Sequence, residues 1–533
     1  PRRAWTVAAA LALTASLGGV GIAPTRPLAA RPAPLNAPPA FRRCTRTASS
    51  TTTRAPPSPA DGEAFPERVQ YLIAGGGTAA FAAMRALRAA RPDSRVLLVS
   101  EERALPYMRP PLSKELWREP DLARRALSPD DLTFRQWNGR RRSLAYEPAA
   151  FYAPVERLAE APGAAVARGW RVARLDVPAH RATLEAPGRA PRTVEYERAL
   201  VATGVRARRV GALREAAAAG RSLALRGLRD AARLAARLDA LPPGAPVAVV
   251  GGGFLACELS AALAERLGGA GRVVQVVAEA APMAGVLPRY LAEDAARRLR
   301  GAGVALVTGA EVAAAELAAG GGVRLRLAGG TEETLEAALV VECVGSEPDA
   351  ALAAASALET HAELGGLLVN AELQARADVW AAGDAACFYD VALGRRRVEH
   401  HDHAVVSGRL AGENMAAVAP PKPYTHQSMF WSDLGPQLGY EAIGIVDSRL
   451  PTVGVFSADA VAGAEAVAGA EAEGAAGAEE PAAAEVPAKR YERGVVFYLR
   501  EKRVVGVLLW NLFNRMHVAR QVSAVNHRHL FFL

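Results

Sequence analysis

The 533-residue chain predicts an α/β protein with two parallel-sheet units and a smaller α+β domain with an antiparallel sheet at its C-terminal end. Two observations predict this architecture, and the first concerns the parallel units. Apolar runs at residues 69–74 and 247–250 each end in a glycine-rich turn that opens an alanine-rich helical segment. After Pro420, short strand-like runs at 442–446, 453–456, 495–499 and 504–509 predict the antiparallel domain.

The first glycine turn has the spacing G-x-G-x-x-A, with Gly75, Gly77 and Ala80 at its key positions. The first glycine permits a tight turn, the second lets the backbone approach a pyrophosphate, and the small third residue lets helix and strand pack closely. One such turn is weak evidence, because ordinary loops also contain glycines. The spacing recurs at Gly251 and Gly253, so the sequence predicts two Rossmann-like domains that bind two dinucleotides.

An acidic residue follows the second predicted strand of each unit, Glu101 after 96–99 and Glu279 after 273–277. A carboxylate at this position accepts a hydrogen bond from a ribose hydroxyl and repels a 2′-phosphate. Glu279 therefore favours NAD over NADP in the second unit.

Between these strands lies the segment 105–114, where Pro110 and Pro111 fix an extended turn. A guanidinium suits a pyrophosphate and an ammonium can lie beside a flavin ring, so Arg109 and Lys114 are candidate cofactor contacts. The alternative is a basic surface loop. Farther along, the apolar segment 377–384 ends in Gly-Asp, which predicts that Asp384 bonds a ribityl hydroxyl, caps a helix, or does both.

Charge is distributed unevenly along the chain, whose formal net charge is +9. Residues 1–60 contain eight arginines and no acid, which is typical of a mitochondrial transit peptide, and residues 5–23 are long and apolar enough for a membrane tether. A secretory signal is the alternative. The basic remainder leaves room for an acidic partner, although a solvated surface is the simpler interpretation.

The four cysteines form no C-x-x-C pair, which argues against a thiol redox centre or a disulfide-framed secreted protein. Cys257 and Cys343 are predicted to be buried, inert thiols. The histidines at 400–403 lack a distant ligand set, so no metal is predicted, and the triplet Arg395–Arg397 is a weak candidate for nucleic-acid contact.

These patterns predict five segments. They are a targeting, tether and linker segment (1–64), an FAD-binding domain in two parts (65–205 and 347–426), an inserted NAD-binding domain (206–346), and a C-terminal domain (427–533) with a disordered acidic insert (458–488).

With these motifs in place, the chain resembles the pyridine nucleotide-disulfide reductase-like flavoproteins, which have a glutathione-reductase-like fold. Among them it is most similar to the mitochondrial apoptosis-inducing factor family. The resemblance covers about residues 69–520 and is carried by segments 75–83, 105–117, 134–139, 251–255, 369–376, 382–415 and 426–432.

The resemblance implies FAD on the first unit and NADH on the second. The residues implied to contact FAD are Gly75, Gly76, Gly77, Thr78, Ala79, Glu101, Glu102, Arg109, Lys114, Val172, Arg226 and Asp384. Those implied to meet the nicotinamide nucleotide are Gly252, Gly253, Phe254, Leu255, Glu279, Gly285 and Gly345. Those implied to complete the sites near the flavin are Trp137, Glu399, His400, Trp431, Glu441 and Asn514.

The resemblance also implies roles in catalysis. Lys114 pairs with Glu258 near the flavin N5, and Phe254 lies over the ring and moves aside for nicotinamide. His400 and Trp431 complete the implied catalytic set.

A second role follows from the same resemblance. The family is tethered to the inner mitochondrial membrane, faces the intermembrane space and supports respiratory-chain assembly with an import oxidoreductase. After release it enters the nucleus, binds DNA without sequence preference and promotes caspase-independent apoptosis. Arg198, Arg208 and Arg395–Arg397 are candidate DNA contacts.

The chain departs from the family pattern at its N-terminus, beyond about residue 520, and at His361 and Leu368, where the family carries charges used in dimer contacts. Dimer formation on reduction is therefore in question. Two alternatives stay open: a ferredoxin- or monodehydroascorbate-type reductase without a death role, and a DNA-binding death effector whose flavin is mainly structural.

Overall fold

The structure, a computed structural model, describes residues 64–136, 138–268, 271–435, 438–457 and 491–528. The predicted targeting and linker segment, the acidic insert, Trp137 and Cys44 lie outside these ranges. Within the described ranges, no helix combines the length and apolar character needed to cross a bilayer.

The first sheet is organised around the buried strand Arg68–Ala74, which has a parallel neighbour on each side. Its apolar residues enter a large hydrophobic core, so the strand reads as a nearly continuous apolar run. The strand order is Gln374–Arg376, Val379–Ala381, Arg192–Val201, Arg68–Ala74, Arg95–Ser100 and Gly163–Arg168. An antiparallel ribbon, Arg171–Asp176 with Arg181–Glu185, branches from Arg192–Val201.

The second sheet is entirely parallel and repeats this local arrangement around the buried strand Val247–Val250. Its order is Ser222–Ala224, Leu339–Glu342, Val247–Val250, Val273–Val277 and Val304–Thr308. A three-stranded antiparallel sheet follows the last strand: Ala310–Leu317, Val323–Gly329 and Thr334–Ala337.

The chain enters and leaves the region of the second sheet through one two-stranded ribbon. Val205–Ala207 pairs antiparallel with Ser346–Pro348, and Arg206 lies 3.0 Å from Glu347 across it. Two further small sheets complete this part: Thr133–Arg135 with Arg141–Ser143, and Leu367–Leu368 with Ala386–Asp390 and Gly394–Arg396.

The C-terminal part contains a five-stranded antiparallel sheet, as its short strand-like runs predict. Its order is Met429–Asp433, Gly439–Gly444, Arg503–Trp510, Gly494–Arg500 and Thr452–Phe456. The helix Met516–Arg528 packs Ala519 against this sheet. The predicted α/β class with a C-terminal antiparallel sheet is therefore confirmed.

Helices cover the sheets on several sides. The α-helices are Thr78–Ala90, Leu122–Arg125, Arg214–Ala218, Leu228–Asp239, Phe254–Leu267, Arg289–Gly301, Ala351–Ala355, His401–Ala416 and Met516–Arg528. The 3₁₀ turns are Pro110–Ser113, Glu115–Arg118, Pro129–Asp131, Ala149–Phe151, Val155–Ala159, Gly211–Leu213 and Gly383–Ala385.

Two helices cross so closely that glycine is required at the crossing. A Cβ on Gly408 would lie 2.7 Å from the Cα of Ala79, and one on Gly412 would lie 2.5 Å from the backbone oxygen of Ala83. The helix His401–Ala416 therefore rests directly on the backbone of Thr78–Ala90. This contact holds the N-terminal ends of both helices beside the Gly383–Ala385 turn.

Candidate functional site

The two glycine turns have matching geometry. Gly75 has φ +125°, and a Cβ there would lie 2.7 Å from the carbonyl carbon of Ala202. Gly251 has φ +135°, and a Cβ there would lie 2.8 Å from the carbonyl carbon of Cys343. Both the left-handed backbone and the neighbouring strand exclude a side chain at these two positions.

Each turn is followed directly by a helix, and the first amide groups of that helix have no side-chain cap. Gly77 precedes Thr78–Ala90 and Gly253 precedes Phe254–Leu267. The space that a Cβ would fill is open at Gly253, and at Gly77 the nearest atom is an Arg109 guanidinium nitrogen at 3.9 Å. Free N–H groups at a helix N-terminus bind anions, so both turns fit a pyrophosphate.

In the first unit, Glu102 fits the position of the ribose-binding carboxylate better than Glu101 does. The first glycine of each turn donates its N–H to a strand carbonyl, of Val99 in one unit and Val276 in the other. Three residues after these carbonyls come Glu102 and Glu279. Glu101 is exposed, so the register matches Glu102 with Glu279.

Glu279 lies directly beside the second turn. A Cβ on Gly252 would be 2.7 Å from Glu279 Oε2, so the absence of a side chain at Gly252 leaves room for this carboxylate. The carboxylate stands where a ribose hydroxyl would approach the turn. This geometry supports the preference for NAD that the sequence predicts.

Arg109 is held beside the first turn by Glu102. Its Nη2 lies 2.5 Å from Glu102 Oε1, and its Nη1 donates to the Tyr107 hydroxyl at 2.9 Å and to the Arg226 carbonyl at 3.0 Å. Tyr107 in turn donates to Glu102 Oε2 at 2.6 Å. Burial raises the pKa of Glu102, but the Arg109 charge and the two hydrogen bonds outweigh burial and lower this pKa below its usual value. The carboxylate therefore stays ionised and positions the guanidinium.

Arg226 and Asp384 come together from distant parts of the chain. The Arg226 Nη2 donates to Asp384 Oδ2 at 3.0 Å, and the Arg226 Nε donates to the Val205 carbonyl at the same distance. Burial raises the pKa of Asp384, and the Arg226 charge opposes this rise. A Cβ on Gly383 would meet Ala79 at 2.9 Å, so the aspartate lies at the start of the first glycine-turn helix.

The predicted pair Lys114 and Glu258 forms almost out of contact with solvent. The Lys114 Nζ lies 2.8 Å from Glu258 Oε2, with the two side chains only 10% and 6% exposed. Ser113 donates to Glu258 Oε2 at 2.5 Å and Ser432 to Glu258 Oε1 at 2.7 Å. Both carboxylate oxygens are thus hydrogen-bonded, as a buried charge requires. The Lys114 ammonium also lies 6.0 Å from the Trp431 ring centroid.

Aromatic rings form a wall next to this pair. Phe254 packs on Phe430 with ring centroids 5.0 Å apart, and His400 stacks on the same Phe430 at 4.6 Å. Burial, together with the nearby Arg396 charge, lowers the pKa of His400 to about 4. His400 is therefore neutral at physiological pH and acts as a flat ring in this wall.

Glu399 and Gly345 meet at the ribbon that links the two parallel sheets. The Ser346 hydroxyl and the Arg397 guanidinium both donate to the Glu399 carboxylate. Burial raises the pKa of Glu399, but these hydrogen bonds and the Arg397 charge lower it overall. A Cβ on Gly345 would meet nothing within 4 Å, so there is open space beside this carboxylate.

Glu441 and Trp431 face each other across the antiparallel strands. Among the described residues, the buried Oε2 of Glu441 has no hydrogen-bond partner. Burial, followed by the neighbouring Asp433, raises the pKa of Glu441. An orphaned buried carboxylate oxygen is a position that a donor on a ligand would satisfy.

Other predicted residues contribute less to this cluster. Leu255 is partly buried in the helix that follows the second turn. Val172 is buried on the strand Arg171–Asp176, two residues after Trp170, whose N–H donates to Ser100 at the end of the second strand. Gly285 and Asn514 are exposed, and Asn514 has a left-handed backbone with φ +61°.

Sequence reasoning missed several side chains that hold the site together. They contribute hydroxyls or rings to which the sequence analysis assigns no role: Tyr107, Ser113, Tyr146, Ser346, Phe430, Ser432 and Tyr440. The alternation along Met429–Asp433 carried one usable signal, because it turns Phe430 and Ser432 inward.

The arginine triplet is largely committed to internal partners. Arg396 lies 3.1 Å from the buried Asp390, Arg397 pairs with Glu399, and Arg395 donates to the Cys387 carbonyl. With Arg396 and Arg397 only 18% and 15% exposed, the triplet does not form the open basic patch that DNA contact requires. This arrangement weakens that hypothesis.

The remaining histidines and cysteines have structural partners. His403 stacks on Phe388, and the described residues contain no group of three or more metal-ligating side chains. His361 accepts backbone hydrogen bonds within a turn. Cys257 and Cys343 are buried as predicted, and burial raises the pKa of Cys257 to about 12.

Comparison with known proteins agrees with this geometry. The family described as "Pyridine nucleotide-disulphide oxidoreductase" matches residues 69–408, which include both glycine turns. The fold and site therefore define an oxidoreductase of this class, whose members use FAD and NAD(H). The predicted class of flavin- and NADH-dependent oxidoreductase is confirmed.

The C-terminal part of the chain identifies the family within this class of oxidoreductases. Residues 411–525 match "Apoptosis-inducing factor, mitochondrion-associated, C-term". "Apoptosis-inducing factor 1, mitochondrial" of Dictyostelium discoideum is 31% identical over 86% of this chain and 78% of that protein. "Putative apoptosis-inducing factor 1, mitochondrial" of Drosophila melanogaster is 42% identical over 89% of this chain and 65% of that protein. The chain belongs to the apoptosis-inducing factor family, as the sequence motifs predict.

A solved structure supports the fold independently. The ferredoxin reductase of the CYP199A2 system from Rhodopseudomonas palustris superimposes with a TM-score of 0.62 and 26% identity, covering 84% of this chain and 91% of that one.

Proposed function

We propose that the chain is an NADH oxidoreductase that holds FAD at the Gly75 turn and NADH at the Gly251 turn, in two Rossmann-like domains. The matched geometry of the two turns supports this assignment most strongly. FAD, when bound, accepts a hydride from the nicotinamide and passes electrons on singly or in pairs.

The residues of the chain divide the work. Arg109, held by Glu102, approaches the phosphates of FAD, and Asp384 approaches its ribityl hydroxyls. Lys114 holds a positive charge beside the flavin ring, where Glu258 fixes its position. Glu279 receives the ribose hydroxyls of NADH.

Phe254 and His400 form an aromatic wall where the nicotinamide would bind, and Phe254 would move aside to admit it. Phe254 is the movable member because it is the first residue of its helix and only partly buried.

A pair of matched substitutions tests the assignment of cofactors to turns. Gly75→Ala and Gly251→Ala introduce the same methyl group at the same distance from a strand backbone. We expect Gly75→Ala to lose FAD, and Gly251→Ala to keep FAD but to lose its anaerobic reduction by NADH while dithionite still reduces it. Absorbance spectra of the purified full chain give both readings. Normal NADH reduction of Gly251→Ala would contradict the proposal.

The cellular setting is proposed from the family. We place the chain in the mitochondrion, tethered to the inner membrane and facing the intermembrane space, where it supports respiratory-chain assembly with an import oxidoreductase. The relatives are named mitochondrial, and the basic N-terminal composition supports the same location. Protease protection of the full chain in mitochondria with ruptured outer membranes tests the placement.

Release to the nucleus and DNA binding are proposed on the same family basis, with the net charge of +9 as physical support. DNA retardation across a salt series, with Arg395–Arg397 replaced by alanine, tests the triplet. Because the triplet is internally paired, we expect its replacement to leave DNA affinity nearly unchanged, with Arg208 and the exposed arginines carrying the contact.

A ferredoxin-type acceptor is the second candidate for the electrons, favoured by the likeness to the ferredoxin reductase of Rhodopseudomonas palustris. Turnover with ferredoxin, with a quinone and with oxygen distinguishes it from the first proposal. Ferredoxin reduction that exceeds both other rates would favour a reductase without a death role.

A further inference from the structure

A tyrosine outside every motif lies against the first turn of the helix Thr78–Ala90. The Tyr146 ring stacks on Phe81, with centroids 4.5 Å apart and planes 8° apart. Its hydroxyl oxygen lies 2.8 Å from the Thr78 Oγ1. Because Phe81 follows Thr78 by one helical turn, the ring covers the side of this turn and the hydroxyl reaches its N-terminal end.

The position of Tyr146 is fixed from both sides. Its N–H donates to the Pro106 carbonyl at 3.0 Å, and the preceding Ala145 bridges to Tyr107 in the loop that carries Arg109. The following Glu147 pairs with Arg85 of the helix at 2.7 Å. The tyrosine therefore links the arginine-bearing loop to the glycine-turn helix.

A count of hydroxyl hydrogens shows how many hydrogen bonds Thr78 and Tyr146 can donate to a ligand. Thr78 and Tyr146 together carry two hydroxyl hydrogens, and the contact between them uses one. Because no further acceptor for these hydroxyls is found in the described part of the chain, the other is available to an external acceptor. Burial raises the pKa of Tyr146 to about 12, so its phenol keeps its proton at neutral pH. The free hydrogen lies near the uncapped helix N-terminus and Arg109, both of which favour an anion.

We propose that Tyr146 is a positioning residue of the first glycine turn. Its hydroxyl orients the Thr78 hydroxyl, and the pair presents one hydrogen to a phosphate oxygen of the dinucleotide held there. This inference rests on the proposed assignment of FAD to the Gly75 turn.

Tyr146→Phe tests the proposal, because it keeps the stacked ring and removes only the hydroxyl. In the full chain loaded with FAD, we expect FAD to be released about threefold to tenfold faster, because the Thr78 hydroxyl is no longer oriented and its hydrogen bond to the phosphate weakens. The rise of flavin fluorescence on dilution measures this rate. The double variant Thr78→Val with Tyr146→Phe should release FAD no faster than Thr78→Val alone, whereas Thr78→Ser should keep the slow rate.

Tyr152→Phe is the matched control. The Tyr152 hydroxyl is also buried and has no hydrogen-bond partner among the described residues. We expect this variant to release FAD at the wild-type rate and to unfold like the wild type without FAD. The FAD-free Tyr146→Phe chain should lose no more stability than one hydrogen bond contributes.

Three results would overturn the inference: wild-type release from Tyr146→Phe, equal acceleration in Tyr152→Phe, or a loss of stability in FAD-free Tyr146→Phe greater than one hydrogen bond accounts for. A wild-type chain that binds no FAD would instead refute the proposed function.

Discussion

The crossing of the helices Thr78–Ala90 and His401–Ala416 predicts the effect of one added methyl group. In Gly408→Ala the new Cβ would lie 2.7 Å from the Cα of Ala79 and 2.8 Å from its carbonyl carbon. Carbon atoms pack at about 3.5–4.0 Å, so the helices must separate by roughly 1 Å. The obstructing atoms are backbone, and no rotamer change relieves the clash.

Two opposing effects determine how much unfolding free energy Gly408→Ala loses. Replacing a mid-helix glycine by alanine favours the helix by about 1 kcal/mol. Overpacking costs about 1–3 kcal/mol when side chains can adjust, and a clash with backbone lies at the upper end or above it. We expect Gly408→Ala to lose about 2 kcal/mol of unfolding free energy overall. FAD occupancy should also fall, because Gly383 beside Asp384 packs on Ala79 and Ala404.

Gly301→Ala is the matched control. Gly301 is the last residue of the helix Arg289–Gly301, and a Cβ there would meet nothing within 4 Å. Denaturant unfolding of both variants, alongside the flavin-to-protein absorbance ratio, measures the two effects. Equal stability and equal flavin content in Gly408→Ala and Gly301→Ala would refute the reasoning about the crossing.

Three further predictions concern charged and titratable groups. Glu258→Gln removes one partner of a buried ion pair and should cost about 3 kcal/mol of unfolding free energy. Glu265→Gln breaks an exposed ion pair on the same helix and should cost less than about 1 kcal/mol. Equal costs would contradict the argument from burial. Glu279→Gln removes the carboxylate that accepts from ribose and repels a 2′-phosphate, so the preference for NADH over NADPH in flavin reduction should fall about tenfold; an unchanged ratio would exclude Glu279 from this role. Burial lowers the pKa of His400 to about 4 and of His403 to about 3, so unfolding takes up protons below the unfolded pKa near 6.5; unfolding free energy measured against pH should decline from about pH 6.5 downwards and not rise.

The sequence was most informative where backbone geometry or charge demands a particular residue. Gly75 and Gly251 were predictable because a close strand and a positive φ exclude side chains. The pair Lys114 and Glu258 followed from the family motif, and the structure brings these two residues together. The antiparallel C-terminal sheet followed from its short strand-like runs after Pro420.

The contacts of neutral hydroxyl groups and the exact register at strand ends could not be predicted from the sequence. Tyr146 reaches Thr78 only through the path of a loop, which no local pattern encodes. Glu101 and Glu102 are adjacent and chemically equal, so only the pairing of the strands distinguishes them. The triplet Arg395–Arg397 appeared basic in the sequence because residue order does not show that its members pair with Asp390, Glu399 and backbone carbonyls.

The ribbon formed by Val205–Ala207 and Ser346–Pro348 has a consequence for how this protein can be rebuilt. Because the strand that enters the second-sheet region pairs with the strand that leaves it, the residues between them form a cassette with adjacent ends. A short turn could close the gap after excision, and a homologous cassette with different coenzyme preference could be grafted at the same seam. The strands Arg68–Ala74 and Arg192–Val201 would keep their pairing in either case, because their strand partners all lie outside the described part of the excised stretch.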